Sequence, residues 1–206
     1  MSLYEKYVLP KFLNCACGSR PVERQRKKVV PLAEGKVLEI GIGSGLNIPF
    51  YDKSKIVEVW GLDPSDALCE MAKKVAFKES LEINFISSGA EEIPLPDNHF
   101  DTVLITYTMC TIPEVLRAND EIRRVLKSEG KMIFCEHGVA PDENVRKWQN
   151  RINPFWGMLA GGCNINRDIP SLIEDSGFDI IELEEMYLPK TPKIAGYNYW
   201  GYAVAK

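Results

Sequence analysis

The residues best suited to chemistry begin in the stretch from Lys36 to Asn47, KVLEIGIGSGLN. Glycines at 41, 43 and 45 let the backbone approach a ligand closely and adopt dihedrals closed to other residues. Glu39 stands two positions before the first of them, and Asn47 two after the last. Leu46 occupies the place where a dinucleotide-binding G-x-G-x-x-G would carry its third glycine. A pyrophosphate needs donors at a helix N-terminus, whereas an amino-acid ammonium group needs carboxylate or carbonyl acceptors. The acidic residue therefore favours a ligand with an amino-acid end over a dinucleotide. Asp63, followed by Pro64 and Ser65, closes the apolar run from Ile56 to Leu62. A carboxylate at the end of a second strand is where α/β nucleotide folds hold ribose hydroxyls. Capping of the next helix from near Ser65 is compatible with that role.

Other candidates fall at later strand ends. Thr106, Tyr107, Met109, Cys110 and Thr111 follow a run expected to be the fourth strand, Thr102 to Thr106, and so face the same edge as the glycine loop. His137 follows a fifth expected strand, Lys131 to Cys135. It can be an acceptor-side base, since imidazole titrates near neutrality, or a residue that orients a loop. Cys15-Ala16-Cys17 has no second ligand cluster, and two histidines complete the inventory, so no metal site is expected.

These residues need an alternating scaffold of short apolar strands and amphipathic helices. The pattern predicts a charged helix over Arg20 to Val30, with the basic run Arg24, Arg26, Lys27 and Lys28 solvated or turned to an anionic surface. A short helix follows over Asn47 to Tyr51. Ser65 to Phe77 reads as a helix burying Leu68, Met71, Ala72 and Val75. Ile83 to Ile86 is a third strand, Glu114 to Leu126 a helix, and Lys127 to Gly130 a turn. Asp142 to Arg151 looks helical and opens an aromatic, glycine-rich insertion, residues 138–176, suited to an acceptor cap. There Trp156, Asn164 and Arg167 are acceptor candidates, Arg167 for an anionic acceptor or a local carboxylate. Ser171 to Ser176 is a helix, and Phe178 to Leu188 and Tyr197 to Ala205 are the last strands. Residues 1–34 form an N-terminal arm, helical over 2–18, that packs on the domain or covers the pocket.

The 206 residues and their 45% hydrophobic content suit one α/β domain. A net charge of −4 disfavours a general nucleic-acid binder. No apolar run reaches the ~18–20 residues of a membrane span, and Met1 to Phe12 lacks a signal-peptide core. Six scattered cysteines in a chain able to build a core favour reduced thiols and a cytoplasmic location.

Glu39-x-Gly41-x-Gly43-x-Gly45 resembles the first motif of class I S-adenosylmethionine methyltransferases. The run from Gly89 to Asp101, GAEEIPLPDNHFD, resembles the G-x-A-E-x-L-P-F-x-D-x-S-F-D signature of their small-molecule members. The whole chain is similar to the type 11 group, and more narrowly to the methyltransferase-like seven family of thiol S-methyltransferases and its bacterial relatives. Thr108 to Thr111, Phe134 to Gly138, Asn153 to Trp156, Gly162 to Asn164, Arg167 and Gly201 to Val204 carry the narrower likeness. Animal members begin with a membrane-associating segment that this sequence lacks, although peripheral membrane contact stays open.

The resemblance implies a Rossmann-like class I methyltransferase fold, a seven-stranded sheet of order 3-2-1-4-5-7-6 with strand 7 antiparallel. It implies S-adenosylmethionine as cofactor and S-adenosylhomocysteine as product. Glu39 would support the amino-acid end indirectly, Gly41, Gly43 and Gly45 would pass beside it, and Asp63 would hold the ribose, with Asn47, Pro64 and Ser65 also binding the cofactor. Ala90 and Glu91 would flank adenine, Thr106 would also bind the cofactor, and Tyr107 and Thr111, with Met109, would touch its methionine portion or the acceptor. Cys110, Trp156, Asn164 and Arg167 would meet a small-molecule methyl acceptor. A thiol acceptor would find its base in His137; quinone or phenol and phospholipid-amine acceptors, or a cofactor-binding module without turnover, are the alternatives. The active unit would be a monomer or a homodimer.

Overall fold

A computed structural model describes residues 17–206. The expectations for the N-terminal arm over 2–16, including Cys15, lie outside the described residues. Seven strands form one sheet: β1 (Gly35–Ile40), β2 (Ile56–Leu62), β3 (Asn84–Ile86), β4 (Phe100–Thr106), β5 (Leu126–His137), β6 (Phe178–Tyr187) and β7 (Tyr197–Ala205). Their order is β3-β2-β1-β4-β5-β7-β6, as the resemblance implied. β1 to β5 pair in parallel, and β7 runs antiparallel between β5 and β6.

The central strands are apolar on both faces because helices cover both sides. Leu38 sits opposite Trp60 on β2 and Val103 on β4, and Leu38 and Val103 are fully buried. The edge strand β6 turns Glu182, Glu184 and Glu185 outward, charges that discourage pairing with another chain.

The helices are α1 (Arg20–Val29), α2 (Asp66–Glu79), α3 (Val115–Val125), α4 (Glu143–Leu159), α5 (Ile169–Asp175) and the short α6 (Lys193–Gly196). Ser65 caps α2, its hydroxyl accepting from the Leu68 amide, and Asp168 caps α5 through the Ser171 amide. The expected short helix after the glycine loop is one tight turn, Ile48–Phe50.

Several expectations change. α2 buries Ala72 as expected, with Val75 packed beside it, but adds Cys69 and Ala76 and leaves Met71 exposed, because small residues let it approach Ile42 and Ile48 around the glycine loop. Lys127 to Gly130 forms no turn; β5 begins at Leu126 and absorbs an irregularity in its register with β4 between Phe100 and Thr102. α4 continues eight residues past Arg151, through Pro154, to Leu159. The proline lacks an N–H, and the helix loses one backbone bond there rather than ending. Arg26 is buried in α1, not solvated with its basic neighbours.

Candidate active site

The carboxyl ends of β1, β2 and β4 open on a cleft of about 1020 Å³, where an α/β sheet of this order changes direction. Its floor is Ile40 to Ser44, its sides carry Asp63 to Ser65, Gly89 to Glu91 and Thr106 to Thr108, and Thr111, Gly157, Met158, Gly161 and Gly162 close the far end. Gly41 has φ +69°, and a Cβ there would meet the Thr108 side chain at 2.3 Å. Gly45 serves packing instead: a Cβ there would lie 2.7 Å from Ile48 and 3.1 Å from Ala72 of α2.

Beneath the loop lies a buried polar chain. Arg26 Nη1 donates to Asn47 Oδ1 at 2.6 Å and to Thr106 Oγ1 at 2.7 Å. Asn47 Nδ2 donates to Glu39 Oε1 at 2.9 Å and to Thr106 Oγ1 at 2.9 Å, and the Tyr51 hydroxyl donates to Glu39 Oε2 at 2.7 Å. Burial lifts the Glu39 carboxyl to about 7, against the lowering effect of Tyr51, Arg26 and Asn47. Glu39 and Asn47 are thus behind the cleft wall, whereas Arg26 lines it. Arg26 Nε is buried without a partner among the described residues. That orphaned donor, backed by an engaged Nη1, fits the carboxylate of an amino-acid ligand.

Asp63 Oδ2 accepts from the Gly43 amide at 3.0 Å and Oδ1 from the Ser65 amide at 2.9 Å. Those bonds fix the carboxylate at the cleft wall, and each oxygen keeps a second lone pair for a hydroxyl. Burial raises the Asp63 carboxyl, with the two amides opposing the shift. Ala90 and Glu91 line the adjoining side with Leu68, Ile112 and Pro113, an apolar slot with a carboxylate at its rim.

The expected acceptor residues behave differently. Tyr107 presents its ring to the cleft, 5.1 Å from Arg26 Cζ, but its hydroxyl donates to Asn198 Oδ1 at 2.7 Å. Cys110, Trp156, Asn164, Arg167 and His137 do not line the cleft. Arg167 donates to the Met109 carbonyl rather than to a local carboxylate. Asn164 clasps the Cys110 carbonyl through its amide at 2.9 Å and its side chain at 3.1 Å, fastening the cap to the end of β4. His137 does not face the cleft as an isolated base. Its Nε2 lies 3.3 Å from Cys163 Sγ, and its ring stacks on Tyr107 with centroids 6.5 Å apart.

Cys163 Sγ also lies 3.7 Å from Cys110 Sγ. The Cys163 thiol is held well below its usual range by the Cys110 S–H and by His137, while Cys110 is pushed up as the donor. Burial opposes charge on His137, but the Cys163 contact outweighs it and the net direction is upward. Burial raises Glu136 to about 7, although the Thr108 and Met109 amides donate to its Oε1.

Sequence reasoning missed Arg26, hidden inside a basic run, and the Cys110, His137 and Cys163 grouping. Its expectation of no metal-ligand set rested on Cys15-Ala16-Cys17, whereas the gathered donors come from three distant segments. The pairing of a cysteine after β4 with one in the cap left no local spacing to read.

The sheet order and the cleft at the ends of β1, β2 and β4 are those of the class I methyltransferase fold. The methyltransferase domain family model matches residues 38–134. Thiol S-methyltransferase TMT1B of Homo sapiens is 30% identical over 175 residues, 80% of this chain and 71% of the relative. Demethylmenaquinone methyltransferase of Thermus thermophilus is 27% identical over 73% of each chain. A crystal structure of a SAM-dependent methyltransferase from Aquifex aeolicus superposes with a TM-score of 0.66, 20% identity and coverage of 96% of this chain and 97% of that one. The chain belongs to the type 11 group of class I methyltransferases, alongside the methyltransferase-like seven proteins and their bacterial relatives.

Proposed function

We propose that the chain uses S-adenosylmethionine to methylate the sulfur of a small thiol. The observation that carries the cofactor is the placement of Arg26 Nε and Asp63, an unpartnered donor and a fixed acceptor, in one cleft under the same glycine loop. Arg26 would hold the carboxylate of the amino-acid end, with Asn47, Thr106 and Glu39 fixing its orientation. Asp63 would take the ribose hydroxyls, and Ala90, Leu68 and Ile112 would sandwich the base. S-adenosylmethionine, when bound, supplies a methyl group on a sulfonium leaving group.

The protein's part is then alignment and exclusion of water. Gly41 and Gly43 admit the backbone closely, while Thr111, Met158 and Gly162 wall the acceptor end. The acceptor must present a nucleophilic lone pair there, which for a thiol means loss of its proton. The ionisable groups behind that wall are Cys110, His137 and Cys163, an environment that tolerates thiolate charge. The likeness to a thiol S-methyltransferase supports the same choice.

The test is a screen of small alkyl and aryl thiols, a reduced quinone and a phospholipid amine, read by release of S-adenosylhomocysteine. Turnover with thiols and not the others supports the reading. Turnover with the quinol or the amine alone overturns it.

A further inference from the structure

We propose that Cys110, His137 and Cys163 form a site for a divalent d10 cation, Zn²⁺, whose fourth position receives the sulfur of the acceptor. This deepens the thiol reading above and rests on it for the identity of the fourth ligand. Sγ of Cys163 lies 3.7 Å from Sγ of Cys110 and 3.3 Å from Nε2 of His137, and all three donor atoms fall within 4.8 Å of one another. Zinc bonds of about 2.3 Å to sulfur and about 2.0–2.1 Å to nitrogen put tetrahedral ligand edges near ~3.8 Å (S···S) and ~3.5 Å (S···N). Two of the three edges already have those lengths. Closing the third asks for a side-chain adjustment of about an ångström.

Three separately anchored segments present the donors, so the set does not depend on one loop. Asn164 ties the Cys163 segment to the Cys110 carbonyl, and Asn153 Oδ1 accepts from the Ile165 amide at 2.9 Å. The amide of Gly138, next to His137, is bound to the Tyr197 carbonyl at 3.1 Å. Such anchoring preorganises ligands and lowers the cost of assembling them.

Cys110 and His137 favour the thiolate of Cys163, but two thiolates together would need a dication. Cys110 and Cys163 cluster with Ala160 and Ile165, and apolar side chains pack around them. Glu136, adjacent to His137 and fully buried, keeps Oε2 unpartnered among the described residues. A dication neutralises two thiolates, and the buried carboxylate one residue away reinforces its attraction. Two cysteines and a histidine with a free fourth position form a ligand set suited to zinc and to catalysis rather than a closed structural site. Thr111 and Gly162, the neighbours of Cys110 and Cys163, line the cleft, so the three donors sit directly behind its far end.

On binding there, the acceptor thiol releases its proton to solvent and remains as a thiolate. Its lone pair forms the new sulfur–carbon bond as the methyl–sulfonium bond breaks, and the departing pair stays on the cofactor sulfur. The products are a methyl thioether, S-adenosylhomocysteine and the proton. A thioether is a far weaker zinc ligand than a thiolate, so product would leave the site.

The test begins with chelator-stripped protein titrated with Zn²⁺ against a competing chromogenic chelator. One ion per chain is expected, weakened at least 100-fold by Cys110→Ser, Cys163→Ser or His137→Ala and unchanged by Cys69→Ser. Circular dichroism and S-adenosylhomocysteine affinity confirm that each variant is folded. Co²⁺ in the same site should show a thiolate charge-transfer band that shifts when a small thiol is added. Equal zinc affinity in parent and variants overturns the site, as does a cobalt spectrum without thiolate character. A cobalt band indifferent to added thiol overturns the open fourth position. Zinc binding as expected with no methylation of any thiol leaves the site standing and overturns the acceptor reading instead.

Discussion

Arg26 donates to Asn47 Oδ1 at 2.6 Å, coupling the first described helix to the loop after β1. That contact engages Nη1, while Arg26 lines the cleft and its buried Nε has no partner among the described residues. Arg26→Ala should therefore weaken S-adenosylhomocysteine binding by roughly 10- to 100-fold, the value of a charge-assisted hydrogen bond. The same substitution should leave 5′-methylthioadenosine, which has no carboxylate, nearly unaffected. Calorimetry with both ligands checks it; equal losses would mean that Arg26 only supports the fold.

Asp63 is fixed by two amides at the cleft wall, where we propose it takes the ribose. Asp63→Asn keeps the size but turns one acceptor into a donor, and should weaken both ligands by roughly 10-fold or more. Because both contain the ribose, the two losses should be similar, in contrast to Arg26→Ala.

Gly41→Ala places a Cβ 2.3 Å from Thr108 side-chain atoms at φ +69°. A stability loss of about 1–3 kcal/mol is expected from the dihedral and the clash together. Thr108→Gly in the same chain should recover the steric part and not the dihedral part. Denaturant midpoints of the single and double variants give the split.

Glu39 supplies a pH signature. Its carboxyl is lifted by burial to about 7 in the folded chain, whereas an unfolded glutamate titrates near 4.3. Between those values the unfolded state releases a proton that the folded state retains, so stability falls as pH rises through this window and levels off above it. Glu39→Gln cannot titrate and should flatten the decline, a difference of roughly 5–10 °C in Tm between pH 4.5 and 7 for a chain of this size. Thermal melts of both proteins across that range provide the comparison.

The architecture was largely legible in the sequence. The apolar runs of β1 and β4 are largely buried on both faces and stand out without alternation, as does the carboxyl half of β2, and Gly177 marks the end of α5 with φ +79°. What the pattern hid depends on the third dimension. Arg26 looked like its solvated neighbours because a basic run has no mark for the one residue whose side chain turns inward. α4 outran its expected end because packing over Cys110 and Ile165 compensates for Pro154, which local propensity treats as a stop. In the site, Gly41, Gly43, Asp63, Pro64, Ser65, Ala90, Glu91, Thr106, Tyr107 and Thr111 all line the cleft. Glu39, Gly45 and Asn47 support it from behind. Arg167 and Asn164 bind the backbone carbonyls of Met109 and Cys110 after β4, contacts for which the sequence offers no local spacing.

The central claim is that this cleft directs a methyl group from a sulfonium donor to the sulfur of a small thiol. It is tested most directly by incubating the purified chain with S-adenosylmethionine bearing a trideuterated methyl group and a panel of small thiols, then measuring both products by mass spectrometry. The account predicts S-adenosylhomocysteine and trideuteromethyl thioether in equal amounts, both abolished in Asp63→Ala. Release of S-adenosylhomocysteine without a labelled thioether from any thiol, or label on a quinol or amine instead, would contradict it.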